Sequence, residues 1–172
     1  MPPTTTGKKS GDDKNAEAET LFTAPLSLHR SESELPFVPY QERVAFQLLQ
    51  ASVETGLWVA RVRFEPGVTL QRHKHTGEVF AFTLKGSWKY LEYPEINSAG
   101  SYLYEPAGSI HTLHVPETNT EVTDVWFANR GANLDLSEDD QVERVIDAAA
   151  VLEIYRAQCA DQGLPPPDVI GG

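Results

Sequence analysis

Cysteine, basic charge and long apolar runs are all scarce in this chain of 172 residues. A single cysteine, Cys159, excludes an internal disulfide framework and any thiolate-built zinc cluster within one chain. Only 14 Lys and Arg stand against 25 Asp and Glu, giving a formal charge of −11 and a pI near 4.8. So acidic a surface repels phosphate backbones, and no local basic cluster opposes the excess, so no nucleic acid is expected as a partner. No apolar stretch approaches the roughly 18 residues that a membrane-spanning helix needs. The opening residues, MPPTTTGKKSGDDKNAEAET, hold no apolar segment of the secretory kind. The expectation is a cytoplasmic protein with no membrane partner. Hydrophobic residues make up 40% of the chain, enough to fill the core of one domain.

What is present is punctuation. Twelve glycines and 12 prolines divide the chain into short apolar runs. Residues 1–20 are polar and aperiodic and read as a disordered leader. Residues 21–43 carry apolar side chains and three prolines, and read as an extended arm that crosses the domain or packs on a neighbouring subunit. Residues 44–130 read as a barrel core. Strands are predicted at Val44–Gln50, Leu57–Phe64, Thr69–His75, Val79–Leu84, Trp88–Tyr93, Ser101–Glu105, His111–Val115 and Val122–Ala128. In the second of these, Trp58, Ala60, Val62 and Phe64 share one face, and Arg61 and Arg63 share the other. Many short strands at this spacing point to an all-β sandwich or barrel. Within residues 131–172 a helix is predicted at about 148–161. Asp147 is its cap, and Val151, Leu152, Tyr155 and Cys159 form one apolar stripe. The arm and an exposed barrel face make a homodimer the expected assembly.

The five histidines, His29, His73, His75, His111 and His114, carry most of the functional information. In a strand, residues i and i+2 share a face, so His73 and His75 point the same way. Two imidazoles so placed can share a divalent transition ion, which offsets the cost of burying them. Gly67 precedes His73 with five residues between. Further on, Gly100, Pro106, Gly108 and His111 read Gly-x5-Pro-x-Gly-x2-His, so His111 follows a rigid corner. By parity Gln71 faces the same way as the histidine pair and offers a hydrogen-bond donor, whereas Arg72 and Lys74 face outward. His114 has the opposite parity to His111 and faces away. His29 lies in the arm.

These two spaced motifs resemble the paired signature motifs of the cupin superfamily. The resemblance implies a single jelly-roll barrel with His73, His75 and His111 as metal ligands. One departure stands out. The usual first motif also supplies a glutamate ligand, but counting back six residues from Gly86 reaches Phe80. The nearest carboxylate, Glu78, belongs to the turn Thr76-Gly77-Glu78 and is an alternative fourth ligand or base. The strings HKHTGEVFAFTLKGSWKYLEY, GSYLYEPAGSIHTL and DAAAVLEIYRAQCADQGLP are similar to the three-histidine cupin dioxygenases that cleave 2,4'-dihydroxyacetophenone or acetylacetone.

That resemblance implies Fe(II), with Zn(II), Mn(II) or Ni(II) as alternatives, and a small-molecule carbonyl substrate reacting with O2. The substrate would bind as a bidentate oxygen chelate before its C–C bond is cleaved. In the acetylacetone-cleaving relatives, a carboxylate at the place of Glu105 acts behind the ligands. Here Glu105 either orients a histidine or steers a proton, or is a strand-end glutamate in solvent. Phe80, Phe82, Trp88, Tyr90, Tyr102, Tyr104, Trp126 and Phe127 fall in predicted strands and are expected in the core, some lining the cavity. Two other functions fit the same barrel: a metal-dependent lyase, isomerase or other non-redox tailoring enzyme, and a non-catalytic metal- or ligand-binding domain.

Overall fold

Alternation of apolar and polar side chains marks the strand Leu57–Phe64, whose arginines and core residues take opposite faces. A computed structural model describes residues 26–172, so the leader and the first residues of the arm lie outside the described part. β1 (Val38–Gln41), β2 (Val44–Ser52) and β3 (Leu57–Phe64) open the fold as an antiparallel meander. Trp58, Ala60 and Phe64 are buried on the inner face of β3, while Arg61 and Arg63 emerge on the outer face. There they meet Asp124, which accepts from Arg61 at 2.7 and 2.8 Å and from Arg63 at 2.9 Å.

The chain continues through β4 (His73–His75), β5 (Val79–Lys85), β6 (Ser87–Tyr90), β7 (Asn97–Ser98) and β8 (Tyr102–Glu105). It then forms β9 (Ile110–His111), β10 (Leu113–His114), β11 (Thr123–Arg130), β12 (Asn133–Leu136) and β13 (Val142–Ile146). A six-stranded sheet runs in the order β1-β2-β3-β11-β5-β8, and a four-stranded sheet in the order β13-β12-β4-β9. A short third sheet, β10-β6-β7, completes the set, and all pairings between these strands are antiparallel.

The strands reach beyond residues 44–130 on both sides. β12 and β13 are short and carry charged residues at Asp135, Glu143 and Arg144, so their sequence lacks the apolar alternation that marks the others. The segment before β1 crosses the outer face of the six-stranded sheet. Gln47 donates to the carbonyls of Glu32 and Leu35, and Phe37 lies 3.7 Å beneath the Arg63 guanidinium.

Predicted strand Thr69–His75 is ordered as a strand only over its last three residues. The aromatic expectation also divides by parity. Trp88 and Tyr90 are buried, but Phe82, Tyr102 and Tyr104 lie exposed on the outer face, because the inward positions of β5 are Val79, Ala81 and Thr83.

Helix α1 (Ala148–Asp161) begins at Asp147, whose carboxylate accepts from the Ala150 amide at 2.8 Å. Its buried stripe of Ala148, Val151, Leu152, Tyr155 and Cys159 packs with Phe46, Leu48, Ala51 and Trp58. Gly86 permits a close strand approach: φ is +73°, and a Cβ there would meet Thr123 Cα at 2.8 Å.

Tyr155 is fully buried, meets Phe46 edge-on and donates its hydroxyl to the Pro36 carbonyl at 2.7 Å. Chemical denaturation should show Tyr155→Ala losing about 3–5 kcal/mol of stability, as for large aromatic truncations. Tyr155→Phe, which removes the hydrogen bond alone, should lose about 0.5–1.5 kcal/mol.

Candidate metal centre

Antiparallel pairing places the three candidate histidines together. In β4, His73 and His75 alternate with Lys74 and face inward, and β9 pairs with β4 so that His73 stands directly opposite His111. Their side-chain nitrogens lie within 4.8 Å of one another. Exposure falls from 7% at His73 to 4% at His75 and 1% at His111, so all three rings are out of water.

A hydrogen-bonded corner holds the third ring in place. Ser109 N donates to the Pro106 carbonyl at 3.1 Å, Gly108 N to the His75 carbonyl at 2.8 Å, and His75 N to the Ser109 carbonyl at 3.0 Å. Gly108 takes φ +88°, a conformation that side-chain-bearing residues adopt at a cost.

The tautomers follow from the hydrogen bonds. His73 Nδ1 lies 2.9 Å from the Gln71 carbonyl, which can only accept, so Nδ1 carries the proton and Nε2 is left with its lone pair. Burial, reinforced by the neighbouring His75 and His111, pushes the His73 pKa down to about 4, so the ring is neutral at pH 7. His75 Nε2 and His111 Nε2 stand 3.0 Å apart and point at the same space. Tyr90 stacks on His111, with ring centroids 3.7 Å apart and planes 15° apart.

Glu105 completes the group. Its carboxylate is 3% exposed, and Oε2 stands 2.9 Å from His75 Nε2 and 3.1 Å from His111 Nε2. Tyr90 donates its hydroxyl to the other oxygen, Oε1, at 2.6 Å. Burial works against ionisation of this carboxyl. Its hydrogen-bonding contacts with His111 and His75 outweigh that cost and hold it well below the usual carboxylate range. The Tyr90 hydroxyl, buried against that carboxylate, is held in its neutral, donating form.

Two expectations need correction. Gln71 does line the cavity beside His73 and His75, but its amide does not donate towards the histidines: it donates to the Leu136 carbonyl at 3.0 Å and to Glu143 at 2.6 Å. The strand begins only at His73, so parity does not extend back to residue 71, and Gln71 acts through its backbone carbonyl. Glu78 is also turned away, accepting from Tyr104 Oη at 2.9 Å on the outer face. His114 pairs with Thr69 Oγ1 at 2.9 Å, outside the histidine group. His29 lies exposed, 4.0 Å from Glu34.

The motif count reaches Phe80, which pairs across the sheet with Tyr104; the inward-facing residue beside it is Val79, and its neighbour across the sheet is acidic. Val79 faces inward from β5, and Glu105 on β8 is its register partner. Tyr90 carries no metal-ligand signal in the sequence. Its place is visible only as the inward parity it shares with Trp88 on β6.

A cavity of about 110 Å3 adjoins the group, several times the roughly 10–15 Å3 that one water takes on the same measure. Phe46, Trp58, Ala60, Phe64, Leu113 and Phe127 supply apolar wall, and Asn129, Asn133, Asp135 and Arg144 supply polar points. Asn129 Nδ2 and Asn133 Oδ1 are buried without a protein partner. So is Glu105 Oε2, the two histidine nitrogens apart. Three ring nitrogens converging beside a buried carboxylate oxygen that meets only two of them fit a divalent transition ion.

An antiparallel β-barrel that gathers three inward histidines from a strand and a Pro/Gly corner is the build of a cupin. Residues 28–132 match the family model of the ChrR cupin-like domain, and the chain belongs to that family.

Among solved structures, a cupin-fold protein of unknown function from Ralstonia eutropha JMP134 is 33% identical, with a TM-score of 0.76 over 83% of this chain and 91% of that one. An RmlC-like cupin from the same organism is 25% identical, also at a TM-score of 0.76, over 83% of this chain and 93% of its own. An acetylacetone dioxygenase from Acinetobacter johnsonii shares the fold at 21% identity and a TM-score of 0.68, over 91% and 99% of the two chains. No curated protein matches the sequence. No helix among the described residues is long and apolar enough to cross a membrane.

Replacing His73 or His111 by Ala should remove stoichiometric binding of Fe(II) or Co(II), measured by equilibrium dialysis. Gln71→Ala and Glu78→Gln should leave the bound metal at the level of the unaltered protein, because both side chains bond to groups other than the histidines.

Proposed function

We propose that this protein is a non-haem Fe(II) dioxygenase that cleaves a C–C bond in a small α-hydroxy ketone or β-diketone. The observation that carries this reading is the convergence of His73, His75 and His111, the first two of which line a largely apolar cavity. Fe(II) bound there would supply Lewis acidity for the two substrate oxygens and the electrons through which dioxygen becomes reactive. In an α-hydroxy ketone the bond between the two oxygen-bearing carbons would break, and in a β-diketone the bond between one carbonyl carbon and the carbon that separates the two carbonyls; two carbonyl or carboxyl fragments would leave, sharing the two atoms of dioxygen.

The chain's own groups suit that task. Neutral imidazoles favour the divalent state of the ion, and His73 is fixed in the ligating tautomer by the Gln71 carbonyl. The aromatic and aliphatic wall keeps bulk water from the reacting carbons. Asn129 Nδ2 can donate to a substrate oxygen and Asn133 Oδ1 can accept from a substrate hydroxyl, so a hydroxylated substrate gains orientation at both points. Arg144 is tied to Asp135 at 2.6 Å and to the Tyr40 hydroxyl at 3.0 Å, which keeps its charge at the cavity's edge.

The test is an oxygen electrode. Protein freed of metal and reloaded with Fe(II) should consume oxygen with hydroxylated aryl α-hydroxy ketones or with β-diketones, whereas Zn(II)-loaded protein should not. Equal turnover with Zn(II), or turnover of these substrates without oxygen, would overturn the dioxygenase in favour of a non-redox enzyme.

A further inference from the structure

Three atoms at the candidate centre form a nearly equilateral triangle. His75 Nε2 and His111 Nε2 are 3.0 Å apart, and Glu105 Oε2 is 2.9 Å from the first and 3.1 Å from the second. With metal–ligand bonds of about 2.1 Å, neighbouring donors of an octahedral ion stand about 3.0 Å apart and those of a tetrahedral ion about 3.4 Å. The observed edges match an octahedral face.

The proton inventory points the same way. When the Nε2 lone pairs of His75 and His111 are given to an ion, neither nitrogen keeps a hydrogen to donate. Glu105 Oε2, buried and otherwise without a partner, then has only the ion to meet. Tyr90 already occupies the other oxygen, which fixes the carboxylate's rotation and leaves Oε2 aimed at the triangle.

We infer that Glu105 binds the ion directly through Oε2, as a fourth protein ligand supplied by β8 in place of the glutamate that β5 lacks. This rests on the reading of the three histidines as a metal site. The register explains how the substitution works: Val79 and Glu105 are cross-strand partners facing the same interior, so a carboxylate moved across one strand pair still reaches the centre. The carboxylate cancels one unit of the ion's charge in a dry cavity, which lessens the cost of burying it. Four protein donors leave two adjacent positions on a six-coordinate ion, the number that a bidentate oxygen chelate fills.

The test counts water rather than turnover. The unaltered protein is loaded with Mn(II) without substrate, and the broadening of the Mn(II) electron paramagnetic resonance in oxygen-17-enriched water gives the number of bound waters. Two waters are expected in the unaltered protein, three in Glu105→Ala, and two in Glu78→Ala. Three waters in the unaltered protein, unchanged in Glu105→Ala, would overturn the inference while leaving the histidine site standing. Because the count on the unaltered protein decides between these, the test survives a Glu105→Ala variant that fails to fold. Failure of the unaltered protein to bind Mn(II), Fe(II) or Co(II) in stoichiometric amount would instead overturn the metal reading, and this inference with it.

Discussion

The pairing of β4 with β9 is the constraint on which the centre depends. A three-residue strand has few ladder hydrogen bonds of its own, yet it carries two of the three histidines and must hold them to a fraction of an ångström. It is held from both sides, by β12 and by β9, and the Pro106–Gly108 corner ties back to the His75 backbone. The antiparallel register puts His73 and His111 face to face. A slip of one residue would present Ile110 to the interior and turn the third imidazole outward. The site's precision is therefore a property of the backbone ladder before it is one of the side chains.

Burial sets the electrostatics. Neutral rings cost less to bury than charged ones, and the backbone bond from His73 Nδ1 fixes the neutral tautomer with its lone pair inward. Tyr90 serves twice, covering one face of His111 with its ring and holding Glu105 with its hydroxyl. Glu105 in turn reaches the same interior from β8, as the cross-strand partner of Val79. The apolar wall around this group is furnished by the same residues that hold the sheets and α1 together, so the core and the cavity are one construction.

Much of this was legible in the sequence, for identifiable reasons. Histidines two apart in a strand must share a face, and the Gly and Pro residues around them mark turns that only a few backbone paths satisfy. α1 was legible because Asp147 is a strong cap and the apolar residues after it repeat at helical spacing. Glu105 was visible as a residue of interest but not in its place. Counting along β5 cannot reveal what a neighbouring strand contributes at the same height, since that depends on register. Parity does not place the Gln71 amide, because the strand is only three residues long and begins at His73. β12 and β13 escaped because their pairing comes from their neighbours rather than from apolar alternation. The outward turn of Phe82, Tyr102 and Tyr104 shows that aromatic content alone does not reveal which face of a strand is buried.

His75 and His111 lie 36 residues apart along the chain and touch only in the folded state. An ion held between them would join two distant segments as a removable cross-link that the unfolded chain cannot form. Metal supply would then set the thermodynamic stability of the fold as well as the activity of the site. A ligand present at a hundred times its dissociation constant adds about 2.7 kcal/mol to a native state that alone can bind it. The protein would thus be most open to unfolding and proteolysis under metal starvation.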